Sequence, residues 1–210
     1  RGLQLLRTAC EEVKRSRKFK ELLRDVILPL GNSLNEGSKK GRAAGFKISG
    51  LSKLTQTRTN HSMTFLEYIV HRLDETGHEL LTMAEDMPSA QAAMRVSLPV
   101  LQSEVKSMND GVARMEAEIQ SEGAAAASGA GSSSSSAAAA VGGSVFANRM
   151  AGFLDDAKAI VENTHRELQL ATSEFEDLCR FLGEDPASCA TEDIFGLLHA
   201  FLKSFTDTIA

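Results

Sequence analysis

Apolar residues recur at helical spacing over most of this chain. In the first thirty residues Leu6, Ala9, Cys10 and Val13 form one stripe, and Phe19, Leu22, Leu23, Val26, Ile27 and Leu30 form another. Ser16 lies between them at an N-cap position, so the segment reads as one helix or as two. Pro29 distorts the last turn before the pattern stops at Gly31. Residues 48–54 predict one or two further helical turns. Asn60 or Ser62 then caps a helix carrying Leu66, Ile69, Val70, Leu73 and Leu80, with Gly77 as a weak point inside it.

Ser97 followed by Pro99 opens a long helix, since proline is accommodated in a first turn. Along it Leu101, Val105, Met108, Val112, Met115 and Ile119 alternate steps of four and three, a heptad seam of nearly three repeats. Residues 123–144 carry no charge and almost nothing to bury, which predicts a disordered Ala/Ser/Gly-rich insertion. Periodicity resumes with Phe153, Ala157, Ile160, Leu168, Ala171, Phe175, Leu178 and Leu182, ending near Gly183. Thr191 caps a last helix with Ile194, Leu197, Leu198, Phe201 and Phe205 on one face. The expected organisation is one domain. Residues 1–122 hold the first helices and the first long helix, 123–144 the insertion, and 145–210 the returning long helix and the C-terminal helix. Two long helices joined by a loop should pack antiparallel, giving an elongated all-α bundle.

Composition narrows the function classes. Leu, Ala, Glu, Lys, Arg and Met favour helix over strand, and aromatics are few, with no Trp and one Tyr. No apolar run approaches the ~20 residues that span a bilayer, and Arg1–Gly2 opens no signal peptide. Without an initiating Met, the sequence reads as a piece of a longer protein. Three cysteines without C-x-x-C spacing point to a reducing, cytoplasmic compartment. The net charge of −5 hides an asymmetry. Residues 1–60 hold fourteen Lys/Arg against five Asp/Glu, net +9, and residues 61–210 nine against twenty-three, net −14. Such a basic block suits an acidic partner. No stacking aromatics and no recognisable nucleic-acid module accompany it, which favours an acidic protein over nucleic acid.

Catalytic readings fare poorly. Glu67, His71 and His78 could share one side of a helix, yet no H-E-x-x-H motif supports a metal site and an exposed helical face accounts for them. Cys179, Cys189 and His199 do not forbid a Cys–His nucleophile, but Cys179 falls beside an apolar stripe and reads as a small core residue. Glu11–Glu12 and Asp155–Asp156 are adjacent on helices and point apart. No catalytic set, cofactor motif or metal site emerges.

The most informative stretch is the loop between the first helices, GNSLNEGSKKGRAAGFKISGLSKL over residues 31–54. It crosses Gly31, Gly37, Gly41 and Gly45 and carries Lys39, Lys40, Arg42, Lys47 and Lys53. Neither G-x-G-x-x-G nor G-x-x-x-x-G-K-[ST] occurs in it, so neither phosphate-binding fingerprint is present. The pattern it fits is G-N-x-x-N-x-G-[ST]-x-x-G-x-A-x-G-F-x-[IL]-x-x-L-x-K-L, followed by TQTRT and SMTFL. In this the chain resembles the formin homology 2 domain, the actin-assembly domain of formins. The likeness begins at ACEEVKRSRKFKELL (9–23) and continues weakly to GEDP and the spaced Phe201 and Phe205.

That resemblance implies an all-α fold containing the knob end, the long helices and the "post", with no counterpart here for the family's lasso and linker. It implies a non-enzymatic module that binds actin and, as a complete dimeric domain, nucleates filaments and stays attached to barbed ends in the cytoskeleton. The homodimer forms by lasso–post exchange, and a fragment without the lasso is expected to be monomeric. Profilin enters only indirectly, through an upstream segment. Gly31, Asn32, Leu34, Asn35, Gly45 and Phe46 match the surface that receives the lasso, the glycines permitting a tight backbone and the asparagines holding the loop. Lys53 and Arg58 match basic actin-facing positions, with Lys47 beside them. Arg58 stands where lysine is usual, which keeps the charge and changes the hydrogen-bond geometry. The alternative is a helical scaffold that keeps the fold and binds another cytoskeletal or regulatory partner.

Overall fold

Ser16 sets the first corner of the fold. Its hydroxyl accepts the Phe19 amide proton at 3.0 Å, ending α1 (Gly2–Arg15) and starting α2 (Arg17–Glu21), so the apolar run is two helices. The same hydroxyl donates to Asp86 at 2.8 Å, which explains why a serine here is 4% exposed. This computed structural model describes residues 1–37, 41–58, 63–76, 79–128 and 137–209, with side chains described outside 122–149.

After α2 the chain widens into a π-helix, Leu22–Ile27, and continues as α3 (Leu28–Leu34). The Leu28 amide bonds back to Leu23, five residues earlier. This widening accommodates Pro29, whose ring would otherwise meet the carbonyl four residues back. The helix therefore runs through Gly31 to Leu34 rather than stopping at the glycine. A 3₁₀ turn, Ile48–Leu51, leads into α4 (Ser52–Gln56). The next helix, α5 (Phe65–Glu75), is capped by Thr64 in a reciprocal box with Glu67, not by the expected Asn60 or Ser62, which lie outside the described residues, as do Gly77 and His78. Because α5 ends at Glu75, Leu80 belongs to a separate 3₁₀ stretch, Glu79–Asp86. Short α6 (Ala90–Ala93) precedes α7 (Leu98–Ser128) and α8 (Ala137–Phe181). A 3₁₀ turn, Pro186–Ser188, leads to α9 (Thr191–Ile209). Among the described residues there is no strand, only an isolated bridge between Arg58 and Thr64.

The chain forms two compact units. One joins Arg1–Leu98 to Leu170–Ala210. Its core takes Leu6, Ala9, Cys10 and Val13 from α1 and Leu66, Ile69, Val70 and Leu73 from α5. The end of α8 adds Phe175 and Leu178, and α9 adds Phe195, Leu198 and Phe205. Phe195 and Leu202 are buried on α9 where the pattern had pointed to Leu197, which is half-buried. Thr191 corrects a second expectation. Its hydroxyl donates to the Val96 carbonyl at 2.6 Å and accepts the Leu98 amide at 3.3 Å, so it caps α7 rather than its own helix.

The second unit is Pro99–Gln169. On α7 Val105 is buried and Leu101, Val112, Met115 and Ile119 are half-buried, while Met108 is exposed. On the part of α8 in this unit the buried positions among the described side chains are Leu154, Val161 and Leu168, a strict seven-residue spacing. Phe153 and Ile160 instead stand outward at 55% and 59% exposure, because they are rotated off that seam. Lys158 reaches Glu116 at 2.6 Å. The Ala/Ser-rich stretch is helical from both sides, through Ser128 and from Ala137, as alanine's propensity favours. Residues 129–136, the centre of the expected insertion, lie outside the described residues.

Candidate functional site: an anchored loop beside an apolar groove

The loop after α3 is built in two halves. In the front half Asn35 forms the C-cap of α3, its side-chain amide donating to the Gly31 carbonyl at 2.7 Å. Asn32 clamps the returning strand of the loop. Its side-chain NH₂ donates to the Ala43 carbonyl at 3.0 Å, and its carbonyl oxygen accepts the Ala43 amide proton at 2.9 Å. Gly37 is left-handed, φ 81°, and a Cβ on Gly41 would lie 2.5 Å from the Asn35 carbonyl oxygen. These two glycines are therefore the ones the turn requires. Gly31 and Gly45 are not: a Cβ at either would meet nothing within 4 Å. The crowding expected at those positions does not arise among the described residues.

The back half hangs from the end of α8. That helix closes in a Schellman turn: Gly183, at φ 76°, donates to the Arg180 carbonyl and Glu184 to the Cys179 carbonyl. Across from it the Ile48 amide donates to the Leu182 carbonyl at 3.0 Å, and the Ser49 amide donates to Glu184 Oε1 at 3.0 Å. Lys47 Nζ lies 3.6 Å from Glu184 Oε2. A Cβ on Gly183 would approach the Phe46 carbonyl oxygen to 3.0 Å, so the two backbones nearly touch. Burial opposes the charge on Glu184, but the Ser49 amide and Lys47 outweigh it and hold its pKa below the usual carboxylate value of 4.5.

Beside these anchors lies a groove of about 320 Å³, lined by Leu23 and Leu28 from the π-helix and the start of α3, by Phe46 and Ile48 from the loop, and by Phe181 and Leu182 from the end of α8. Gly45 lines it as well. Phe181 is 43% exposed, and the Lys20 ammonium sits 5.8 Å from its ring centre. Arg24, also on the rim, is held by two hydrogen bonds to Asp25, which raise its pKa and lower that of Asp25. Leu34, expected at the receiving surface, is exposed at the end of α3 and does not line the groove.

Several of the cations are paired within their own unit, and others are exposed. Arg7 pairs with Glu174, Arg17 with Glu79, Lys18 with Asp86 and Lys47 with Glu184, so part of the basic block is met by acidic residues of the same unit. Lys53, on α4, and Arg42 are exposed and carry no ion pair among the described residues. Arg58 is exposed at the bridge to Thr64, beside the point where the Phe65 amide meets the Thr57 carbonyl. Lys39 and Lys40 lie outside the described residues.

Among the described residues no activated thiol is present. Burial, then neighbouring Cys189, push the Cys179 thiol up to about 12, and burial, opposed by Lys14 and helped by Glu174 and Cys179, takes Cys10 to about 12. Among the described residues no His, Cys, Asp and Glu group could hold a metal, and His71 pairs with Glu75 on an exposed face. No helix among the described residues is long and apolar enough to cross a membrane. Sequence reasoning missed Glu184, Phe181, Lys20, Leu23 and Leu28 as parts of this site. The signal for Glu184 was the GEDP match, and for Gly183 the glycine that follows the last periodic residue.

The sequence model of the Formin Homology 2 Domain matches residues 1–206. Formin-like protein 3 from Oryza sativa subsp. japonica is 32% identical over 205 residues, covering 97% of this chain and 15% of the relative. Formin-like protein 14 from Arabidopsis thaliana is 31% identical over 207 residues, 97% and 15%, and Formin-like protein 5 from rice 29% over 209 residues, 98% and 12%. The chain thus spans less than a sixth of the length of these relatives. With nearly every residue inside the match, the chain belongs to the Formin Homology 2 Domain family.

Proposed function

We propose that this chain is an actin-binding module of the cytoskeleton which, within the complete dimeric domain, nucleates filaments and stays attached to their barbed ends. The observation that carries the reading is the pairing of two surfaces on one anchored loop. One is the apolar groove bounded by Phe46 and Ile48; the other is the exposed cationic stretch with Lys53 and Arg58. The groove has the dimensions and lining to receive a side chain from a second copy. The cations face solvent, where they attract an acidic protein surface and speed encounter.

Charge reversal in the complete domain tests this. Lys53→Asp and Arg58→Asp together should slow pyrene-actin assembly and make it less sensitive to salt, with the circular dichroism spectrum unchanged. Lys106→Asp and Lys203→Asp, at exposed positions on α7 and α9, are the controls. Lys158 is unsuitable as a control, because reversing it breaks its pair with Glu116. Equal loss from both pairs, or no loss from either, removes the actin-facing assignment and favours the scaffold that binds another partner.

A further inference from the structure

We propose that Glu184 is a positioning residue that sets the width of the groove, by holding its loop-side wall against the end of α8. This rests on the reading of the groove as the dock for a segment of a second copy. The 3₁₀ turn Ile48–Leu51 begins with amides that have no partner inside the turn. Both are satisfied from the far end of the chain, Ile48 by the Leu182 carbonyl and Ser49 by the Glu184 carboxylate, 135 positions away. Glu184 thus acts as an N-cap delivered by another element.

The consequence is geometric. Phe46 and Ile48 flank the anchored amides, and Phe181 and Leu182 immediately precede the Gly183–Glu184 turn, so the bonds that fix the turn also fix the two walls relative to each other. Gly183 lets the backbones approach closely, and Glu184 keeps them there. Lys47 contributes less, since its side chain is 67% exposed and its 3.6 Å pair is screened. The carboxylate has the opposite setting, 10% exposed and aimed at an amide. Without it, nothing on the α8 side receives the Ser49 amide, and Phe46, only half-buried, is free to move over the groove.

Amide exchange and dimer affinity, both measured in the complete domain, separate the steps. Glu184→Ala should speed exchange at Ser49 about 10-fold, as loss of a charge-assisted bond implies, while Leu198 in the core is unchanged. The same variant should weaken dimerisation about 10-fold, with Glu184→Gln, which keeps an acceptor, recovering most of both effects. Phe181→Asp, on the exposed wall, tests the groove itself. If Ser49 exchange does not respond to Glu184→Ala, the positioning role is wrong. If exchange responds and Phe181→Asp blocks dimerisation while Glu184→Ala does not, the groove reading stands and the positioning role falls. If neither Phe181→Asp nor Glu184→Ala affects dimerisation, the groove is not the dock and the inference falls with it.

Discussion

Asn32 fastens the front half of the loop to Ala43, eleven positions on, whereas the back half hangs from residues 182–184, about 135 positions along the sequence. The front half closes on itself through neutral amides and a left-handed glycine. The back half needs a charged carboxylate, a carbonyl and a second left-handed glycine that all arrive from elsewhere. A local clamp can form as soon as α3 does, because little chain entropy is lost in closing it. The distant anchor exists only once α8 has docked in the core. The face that carries the groove is thereby tied to the integrity of the whole unit, and the front half is not.

The sharpest way to break this contrast is Gly183→Val. A left-handed β-branched residue costs about 1–2 kcal/mol, and its Cβ would press on the Phe46 carbonyl. Urea unfolding should show a loss of at least that size, with faster exchange at Ile48 and Ser49 and unchanged exchange at Ala43. Asn32→Ala should do the reverse. Losing two exposed hydrogen bonds should cost about 1 kcal/mol, loosen Ala43, and leave Ser49 protected.

Acid should separate the halves without mutation. Because Glu184 has a depressed pKa, its contribution is complete above its ordinary value of 4.5 and is lost as pH falls through the lower folded value. Ser49 exchange, corrected for its intrinsic pH dependence, should therefore rise as pH drops below about 4.5, and Ala43 should not follow. The smallest effects belong to the uncrowded glycines. Gly31→Ala lies inside α3 and should stabilise by about 0.5–1 kcal/mol, while Gly45→Ala should stay within about 0.5 kcal/mol of the parent. A large loss at either would mean that the chain itself crowds those positions.

The same divide explains what could be read from the residues alone. Ser16 as a cap, the stripe of Leu6, Ala9, Cys10 and Val13, and the loop-holding asparagines are local signals, and the structure bears them out. Phe153 and Ile160 went astray because apolar residues at three- and four-residue steps fit more than one helix face, and only packing selects Leu154, Val161 and Leu168. Thr191 was read as capping its own helix, since nothing in the sequence places it beside Leu98. The groove was illegible for that reason too. Leu23, Phe46 and Phe181 come together only through the fold.

The functional face is proposed to be the loop with its groove rather than the paired long helices. Hydrogen exchange of the complete domain, free and bound to actin filament ends, tests it most directly. Exchange should slow across residues 46–58 on binding, with residues 100–121 and 150–169 unchanged. Protection confined to those long-helix segments, with none on the loop, would contradict it.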